Sequence, residues 1–399
     1  MTPKVDTLTS LEPGESDWSR PDNRFLPLRA CDLVDTLAAD AGYFGLTPES
    51  LRAFAAALEH VIDHETGTFE RNLADAYSLF NPDRDTLPMR EPPLPRPEEY
   101  DELCEQLEFV LDKANYEELD DVQIAQAVMQ ARSRNLTVRV DPNRVEFLRL
   151  WVRGRGEVEK RERDWWRPWI WRTSSVPIFK RLVVLARLKN DPFVMLKLFK
   201  DIPEAEAEAL LPHAEVTMTL WDRIKLWGTG ASTLGMTIMK VVVGFAALWK
   251  LAMVILVGVG TVGIRSVLGY RNARLSRDWQ RTRHLYFQNM GNNASALQLL
   301  VATVKQEEFK EALLAYLFAL APFGEFEQSG KTFCEHIEHY IHARYGVDVD
   351  FDIADAEQKL VKLGLCPAGA PQDVLPLDEA VDVLHELGQG PGIRMLELQ

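Results

Sequence analysis

His60 and His64 stand four residues apart beside Glu59, Asp63 and Glu65, a spacing that sets two imidazoles on one helix face and could offer a metal pair. His336, His339 and His342 step by three near Cys334 and Glu338, so their rings fan over an arc instead of converging. Histidine clusters on solvated helix faces are far commoner than metal sites, and no metal is assigned. Gly154 and Gly156 are followed by neither a GK[ST] nor a GxGxxG pattern, and read as a turn between strands. The chain has no GxSxG elbow and no HExxH pair. No catalytic residue and no cofactor is assigned.

Two further groups of residues suit a lipid boundary. Trp165, Trp166, Arg167, Trp169, Trp171 and Arg172 lie close together, with Trp151 nearby. A half-apolar indole and a phosphate-binding guanidinium both favour the headgroup zone; the alternative is a loop whose tryptophans pack on a sheet. Thr229 to Gly269 is a nearly continuous apolar run broken by Lys240, Lys250 and Arg265, with Arg271 and Arg274 following. A bilayer needs about twenty apolar residues per helical span. The run therefore predicts a helical hairpin, about 230–248 and 251–268, with Lys240 and Lys250 as intramembrane polar residues. A mid-span lysine costs about 2.5 to 3.5 kcal/mol, so a single span over 241–264 and an interfacial or protein-buried segment stand as alternatives. Basic residues at both outer ends place both flanks in the cytoplasm.

Charge is segregated along the chain. Residues 1–135 carry 12 Lys+Arg against 28 Asp+Glu, residues 136–290 carry 26 against 14, and residues 291–399 carry 7 against 18. The nets of −16, +12 and −11 sum to the −15 of the whole chain. The basic third would meet anionic headgroups, and the acidic total argues against nucleic acid. Cys31, Cys104, Cys334 and Cys366 form no CxxC spacing and read as reduced cytosolic thiols, and the N-terminus carries no signal or transit pattern.

The elements that must hold these residues follow from periodicity. A polar segment (1–24) precedes a helical region (25–135), where Thr47 and Pro48 start a helix with Leu51, Phe54, Leu58, Val61 and Ile62 at helical spacing. After the proline-rich 82–97, Leu103, Leu107, Val110, Leu111 and Ala114 mark another helix. Residues 136–226 change to short β-type runs, 137–140, 146–153, 179–188, 193–199 and 215–220, with a helix at about 203–211. Leu148, Leu150 and Val152 alternate with Arg149, Trp151 and Arg153, predicting one buried and one wet or interfacial face. Glu157 to Asp164 reads as a solvated hairpin. Helices return at about 270–289 and 293–321, within a region ending near 325. The tail, 330–390, orders a helix (331–344), an extended 347–351, a helix capped by Asp352 and ended by Gly364, and a last helix (377–387), like a winged-helix module. Its acidity disfavours phosphate and predicts a protein partner.

Several strings occur in a distinctive order: LKLFKDIP (196–203), LLP (210–212), DRIKL (222–226), LYFQN (285–289), QEEFKEALLAYLFAL (306–320) and FDIADAEQKLVKLGL (351–365). Over most of the chain beyond residue 20 this order resembles a bacterial member of the transmembrane protein 143 family, domain of unknown function 3754. The resemblance implies a membrane protein of about two spans and brings no substrate, cofactor or functional residue. The expected architecture is α+β: a helical N-terminal region, a small antiparallel sheet, a transmembrane helical hairpin and a winged-helix-like C-terminal tail. The expected role is a non-catalytic scaffold at the bacterial cytoplasmic membrane, its soluble regions facing the cytoplasm, contacting anionic lipid and a protein partner. The alternative is a membrane-bound enzyme or carrier acting on a lipid or amphipathic substrate.

Overall fold

The computed structural model describes residues 23–86, 89, 96–120, 137–139, 145–163, 171–189, 191–204, 215–217, 287–321, 332–367 and 374–389. The chain divides into two units, one of residues 1–119, 145–203 and 290–399, the other of residues 120–144 and 204–289. In the second unit, strands β2 (Thr137–Arg139) and β6 (Glu215–Thr217) pair antiparallel, with Val138 opposite Val216.

The first unit is built on two long helices. Helix α2 (Pro48–Ser78) starts at a capping box in which Thr47 Oγ1 accepts from Ser50 N–H and Ser50 Oγ from Thr47 N–H, each at 3.2 Å, with Pro48 preset for the first turn. Its 31 residues span about 46 Å at 1.5 Å per residue. Helix α4 (Ala294–Leu320) is buried without a break from Glu307 to Phe318, so it is the central helix of the unit. Around these two lie α1 (Ala30–Ala39), a 3-10 turn (Ala41–Phe44), α3 (Pro97–Lys113), α5 (Phe333–Tyr345), α6 (Ile353–Lys362) and α7 (Leu377–Gln389). The caps read from the sequence operate: Asp352 accepts from Asp355 N–H at 3.3 Å, and Gly364 ends α6 at φ +70°; the structure adds a capping box of Thr332 and Glu335 at the start of α5.

The sheet has the order β1-β3-β4-β5-β7, from β1 (Glu117–Glu118), β3 (Val145–Arg163), β4 (Trp171–Leu188), β5 (Val194–Pro203) and β7 (Asn289–Asn292). Strands β3 and β4 pair over their whole length, from Val145 opposite Leu188 to Arg163 opposite Trp171. Strand β5 accompanies β4 only from Arg187 to Ile178, where Ile178 faces Pro203 and Pro177 follows. Two prolines without N–H donors stand where the third strand stops. Beyond that point β3 and β4 continue as a two-stranded ribbon, Glu157–Arg163 against Trp171–Pro177, about 23 Å long at 3.3 Å per residue.

Two hydrophobic clusters occupy the two ends of the long helices. The first joins α1, the 3-10 turn and the first half of α2 (Leu51, Phe54, Leu58, Ile62) to the second half of α4 and to α5, α6 and α7 through Ile337, Ile341, Leu360 and Leu384. In the second, Phe69, Leu73 and Tyr77 of α2 and Leu297, Leu300 and Val304 of α4 pack with α3 and with Trp151, Val183, Leu185, Leu196 and Leu198 of the sheet.

Several expectations are corrected here. Among the described residues the fold is α+β with a five-stranded antiparallel sheet and seven α-helices, and none of these helices is long and apolar enough to cross a membrane. The longest apolar helix, α4, carries Lys305, Glu307, Glu308, Lys310 and Glu311 along its middle. The transmembrane hairpin drawn at 229–269 lies outside the described residues, as do residues 205–211 of the helix expected at about 203–211 and residues 270–286 of the one expected at about 270–289, so the architecture with a membrane span is withdrawn. The winged-helix-like tail is replaced by three helices that bury their apolar stripes in the first cluster, with no strand at 346–352. Three short helices have too little apolar surface to close a core alone, and α1, α2 and α4 supply the rest. Gly154 and Gly156 lie within β3 and form no turn. Gly154 has φ +71°, and a Cβ there would lie 3.0 Å from the Phe25 ring, so both conformation and packing call for glycine. Nor is one sheet face wet: Trp151 on one side and Leu150 and Val152 on the other are each 2–3% exposed.

Candidate functional site

Between the two clusters, at mid-length of α2 and α4, runs a layer of buried charge. Helix α2 contributes Glu65, and α4 contributes Glu307, Glu308, Lys310 and Glu311; all five are at most 4% exposed. Lys359 of α6 donates to Glu65 at 2.8 Å and also to Glu308, and Lys362 lies 3.2 Å from the other oxygen of Glu65. Glu307 accepts from Arg153 of β3 at 2.5 Å, from Lys310 at 2.9 Å and from the Leu26 N–H at 3.1 Å. Lys310 directs its remaining N–H groups to the Leu26 and Leu28 carbonyls at 2.5 and 3.2 Å. Its three protons thus have three acceptors. Asn115 donates to Glu311 at 2.8 Å, and Lys113 pairs with Asp355. Arg153 lies 4.4 Å over the Phe25 ring.

Electrostatics differ within the layer. Burial, reinforced by the Glu307 charge, pushes the Glu311 carboxyl well above its ordinary value of 4.5, which favours its protonated form. Burial lowers Lys310 against the raising effect of Glu307, whereas at Lys359 burial is outweighed by Glu308 and Glu65 and the ammonium is held more firmly. Each charge is thus answered by an opposite charge, an amide or a carbonyl within the unit. Such an arrangement fixes position: it ties the segment before α1, strand β3 and helices α2, α3, α4 and α6 into one register. Beside it a cavity of about 20 Å³, lined by Asn23, Phe25, Asn115 and Gly154 among others, has room for one water.

An open groove of about 490 Å³ lies between the α1 end, the 3-10 turn and α5. Tyr340 donates to Asp40 at 2.7 Å and Arg344 to the same carboxylate at 2.6 Å. The Tyr43 ring lies 6.5 Å from Tyr340 at an interplanar angle of 27°, and Tyr43 is 47% exposed.

The residues singled out from the sequence fall in different places. Trp151, expected at a membrane interface, is buried in the second cluster with Arg149 stacked 4.8 Å over its ring, which corrects that assignment. Arg149 and Arg153 read as a wet face because their partners, Glu108 and Glu118 for one and Glu307 for the other, are distant in sequence. Trp171 and Arg172 are the first residues of β4. Trp165, Trp166, Arg167, Trp169, Lys240, Lys250, Arg265, Arg271 and Arg274 lie outside the described residues. The Gly388 backbone abuts the His60 ring. On α5 the histidines do not converge: His336 is buried within 2.7 Å of the Tyr43 hydroxyl, and His342 pairs with Asp348 at 2.8 Å. Among the described residues no group of three His, Cys, Asp or Glu could hold a metal ion. The four cysteines are free thiols, and burial pushes Cys334 up to about 12.

Sequence reasoning did not find the charged layer. The signal was available in QEEFKEALLAYLFAL, where four charges fall within five residues of a segment otherwise too apolar for a solvated helix face.

Residues 179–295 match a protein family of unknown function, DUF3754. The matched stretch runs from the inner half of β4 through β5 to the start of α4. No solved structure matches the chain.

Proposed function

We propose that this protein is a non-catalytic interaction scaffold at the anionic surface of the bacterial cytoplasmic membrane, with its described unit on the cytoplasmic side. The observation that carries this reading is the segregation of charge within the first unit. The helical segments around the first cluster (23–64, 309–321, 332–367 and 374–389) hold 7 Lys+Arg against 18 Asp+Glu, a net of −11. The strand segments (145–163, 171–189 and 191–204) hold 13 against 7, a net of +6. A basic region attracts anionic lipid and an acidic one a basic protein surface. The basic middle third and its apolar run, Thr229 to Gly269, support membrane contact, and four free thiols suit the cytoplasm. The non-catalytic part rests on the charged layer, whose ionisable groups are engaged by one another. The wider resemblance to the transmembrane protein 143 family belongs to the same reading, supported by the match over 179–295.

Flotation of the full chain with phosphatidylcholine vesicles, with and without phosphatidylglycerol, tests it. Binding should require the anionic lipid and leave the lipid chemically unchanged by mass spectrometry. Equal recovery with both vesicles would remove the lipid partner, and conversion of lipid would favour an enzyme.

A further inference from the structure

The outer ribbon carries an inference independent of the membrane reading. Among the described residues, the edge of β3 away from β4 is paired only at Trp151 and Val152, by the two-residue β1. From Arg153 to Arg163 that edge has no strand partner among them. A free edge offers a row of backbone donors and acceptors to a further strand.

The residues along it are Glu157-Val158-Glu159-Lys160-Arg161-Glu162-Arg163. By the two-residue period of a strand, positions 157, 159, 161 and 163 share one face, two acids followed by two arginines. Their neighbours on β4 are Pro177, Ser175, Thr173 and Trp171, none of them charged. The signs on this face are therefore not matched across the ribbon. They are matched by a second copy running antiparallel with Lys160 opposite itself. Glu157 then faces Arg163, Glu159 faces Arg161, and the two-fold axis repeats both pairs. Other registers lose this. A slip by one residue sets Glu157 or Glu159 against Glu162; a slip by two sets Glu159 or Arg161 against itself. A parallel copy in register opposes like with like throughout. The one like pair in the favoured register is Lys160 with Lys160 at the axis, on the other face.

We propose that the outer half of β3 is a homodimerisation edge, on which two copies of this chain pair antiparallel about Lys160 to form a continuous four-stranded ribbon. Charged edges also serve to prevent pairing, and an order of signs fitting one antiparallel register is what separates the two roles. Each end of the interface has two cross-strand ion pairs, and exposed pairs of this kind weaken as salt rises.

The test uses the full chain. Sedimentation at low ionic strength should show a dimer that dissociates as salt is raised. R161E/R163E should weaken it about tenfold or more, since four opposite-charge pairs become like-charge pairs. The fourfold swap E157R/E159R/R161E/R163E restores complementarity and should restore the dimer. Lys160→Cys should form an intermolecular 160–160 disulfide on mild oxidation, as directly opposed Cα atoms about 4.5–5.5 Å apart allow. Lys189→Cys, exposed but off the ribbon, should not form the corresponding 189–189 bond. A wild-type monomer at low salt, a dimer unaffected by R161E/R163E, or no 160–160 disulfide would overturn the proposal. The disulfide is read by peptide mapping, so it decides the matter even if the charge variants fail to fold.

Discussion

The charged layer and the outer ribbon are made of the same residue types and use them oppositely. In the layer, Glu65, Glu307, Glu308, Lys310 and Lys359 are withdrawn from water, and each meets a partner from another segment or from the backbone. In the ribbon, Glu157, Glu159, Arg161 and Arg163 share one strand face opposite uncharged neighbours, while Glu162 on the other face stands opposite Arg172. The contrast shows that a charged residue's role is set by its dielectric surroundings and by what opposes it. A buried pair gives large losses when one partner is removed; an exposed charge gives almost none.

The largest effect should come from Glu307→Ala, which leaves Arg153 and Lys310 without their carboxylate inside the unit. Urea unfolding should report a loss of about 3–5 kcal/mol, and a loss under about 1 kcal/mol would erase the distinction between layer and ribbon. Gly154→Ala comes next. It forces a side chain to φ +71° with its Cβ against Phe25, beside Arg153, and should lower stability by about 1–3 kcal/mol on the same scale.

Glu311→Gln sharpens the comparison through pH. The folded state raises this carboxyl above 4.5, so above that pH the folded chain keeps a proton that the unfolded chain releases. Wild-type stability therefore carries a component that declines as pH rises from about 4.5 toward the folded pKa. Glutamine keeps an oxygen for Asn115 and cannot ionise. Measured against wild type at pH 5 and pH 8, the variant should gain relative stability at the higher pH; a constant difference would mean that Glu311 is ionised in the fold. The smallest effect is expected from R161Q/R163Q, within about 0.5 kcal/mol for unfolding at a concentration where the chain is monomeric.

Part of this was legible from local signals. The Thr47 and Asp352 caps, the Gly364 stop and the stripes through Leu51–Ile62 and Leu103–Ala114 report on residues within one turn of each other, and these helices start and stop as they indicate. Strand lengths were less legible. The inner run of β3 is a strand as read, though with both faces buried, and its continuation through Gly154 and Gly156 to Arg163 depends on pairing with β4 and has no local mark. The candidate site was not legible, because its pairs join Glu307 to Arg153, Lys359 to Glu65 and Lys113 to Asp355 across 154, 294 and 242 positions.

By itself the sequence determined where helices begin and end, which faces are apolar, and how charge is apportioned among acidic, basic and acidic thirds, since these depend on neighbours a few residues apart. Only the tertiary structure decided that the tail shares a core with α1, α2 and α4, that Trp151 is interior, and that the Glu and Lys of α4 face one another's partners instead of water. The physical reason is that burial and charge pairing are properties of surroundings, and surroundings here are assembled from segments far apart along the chain.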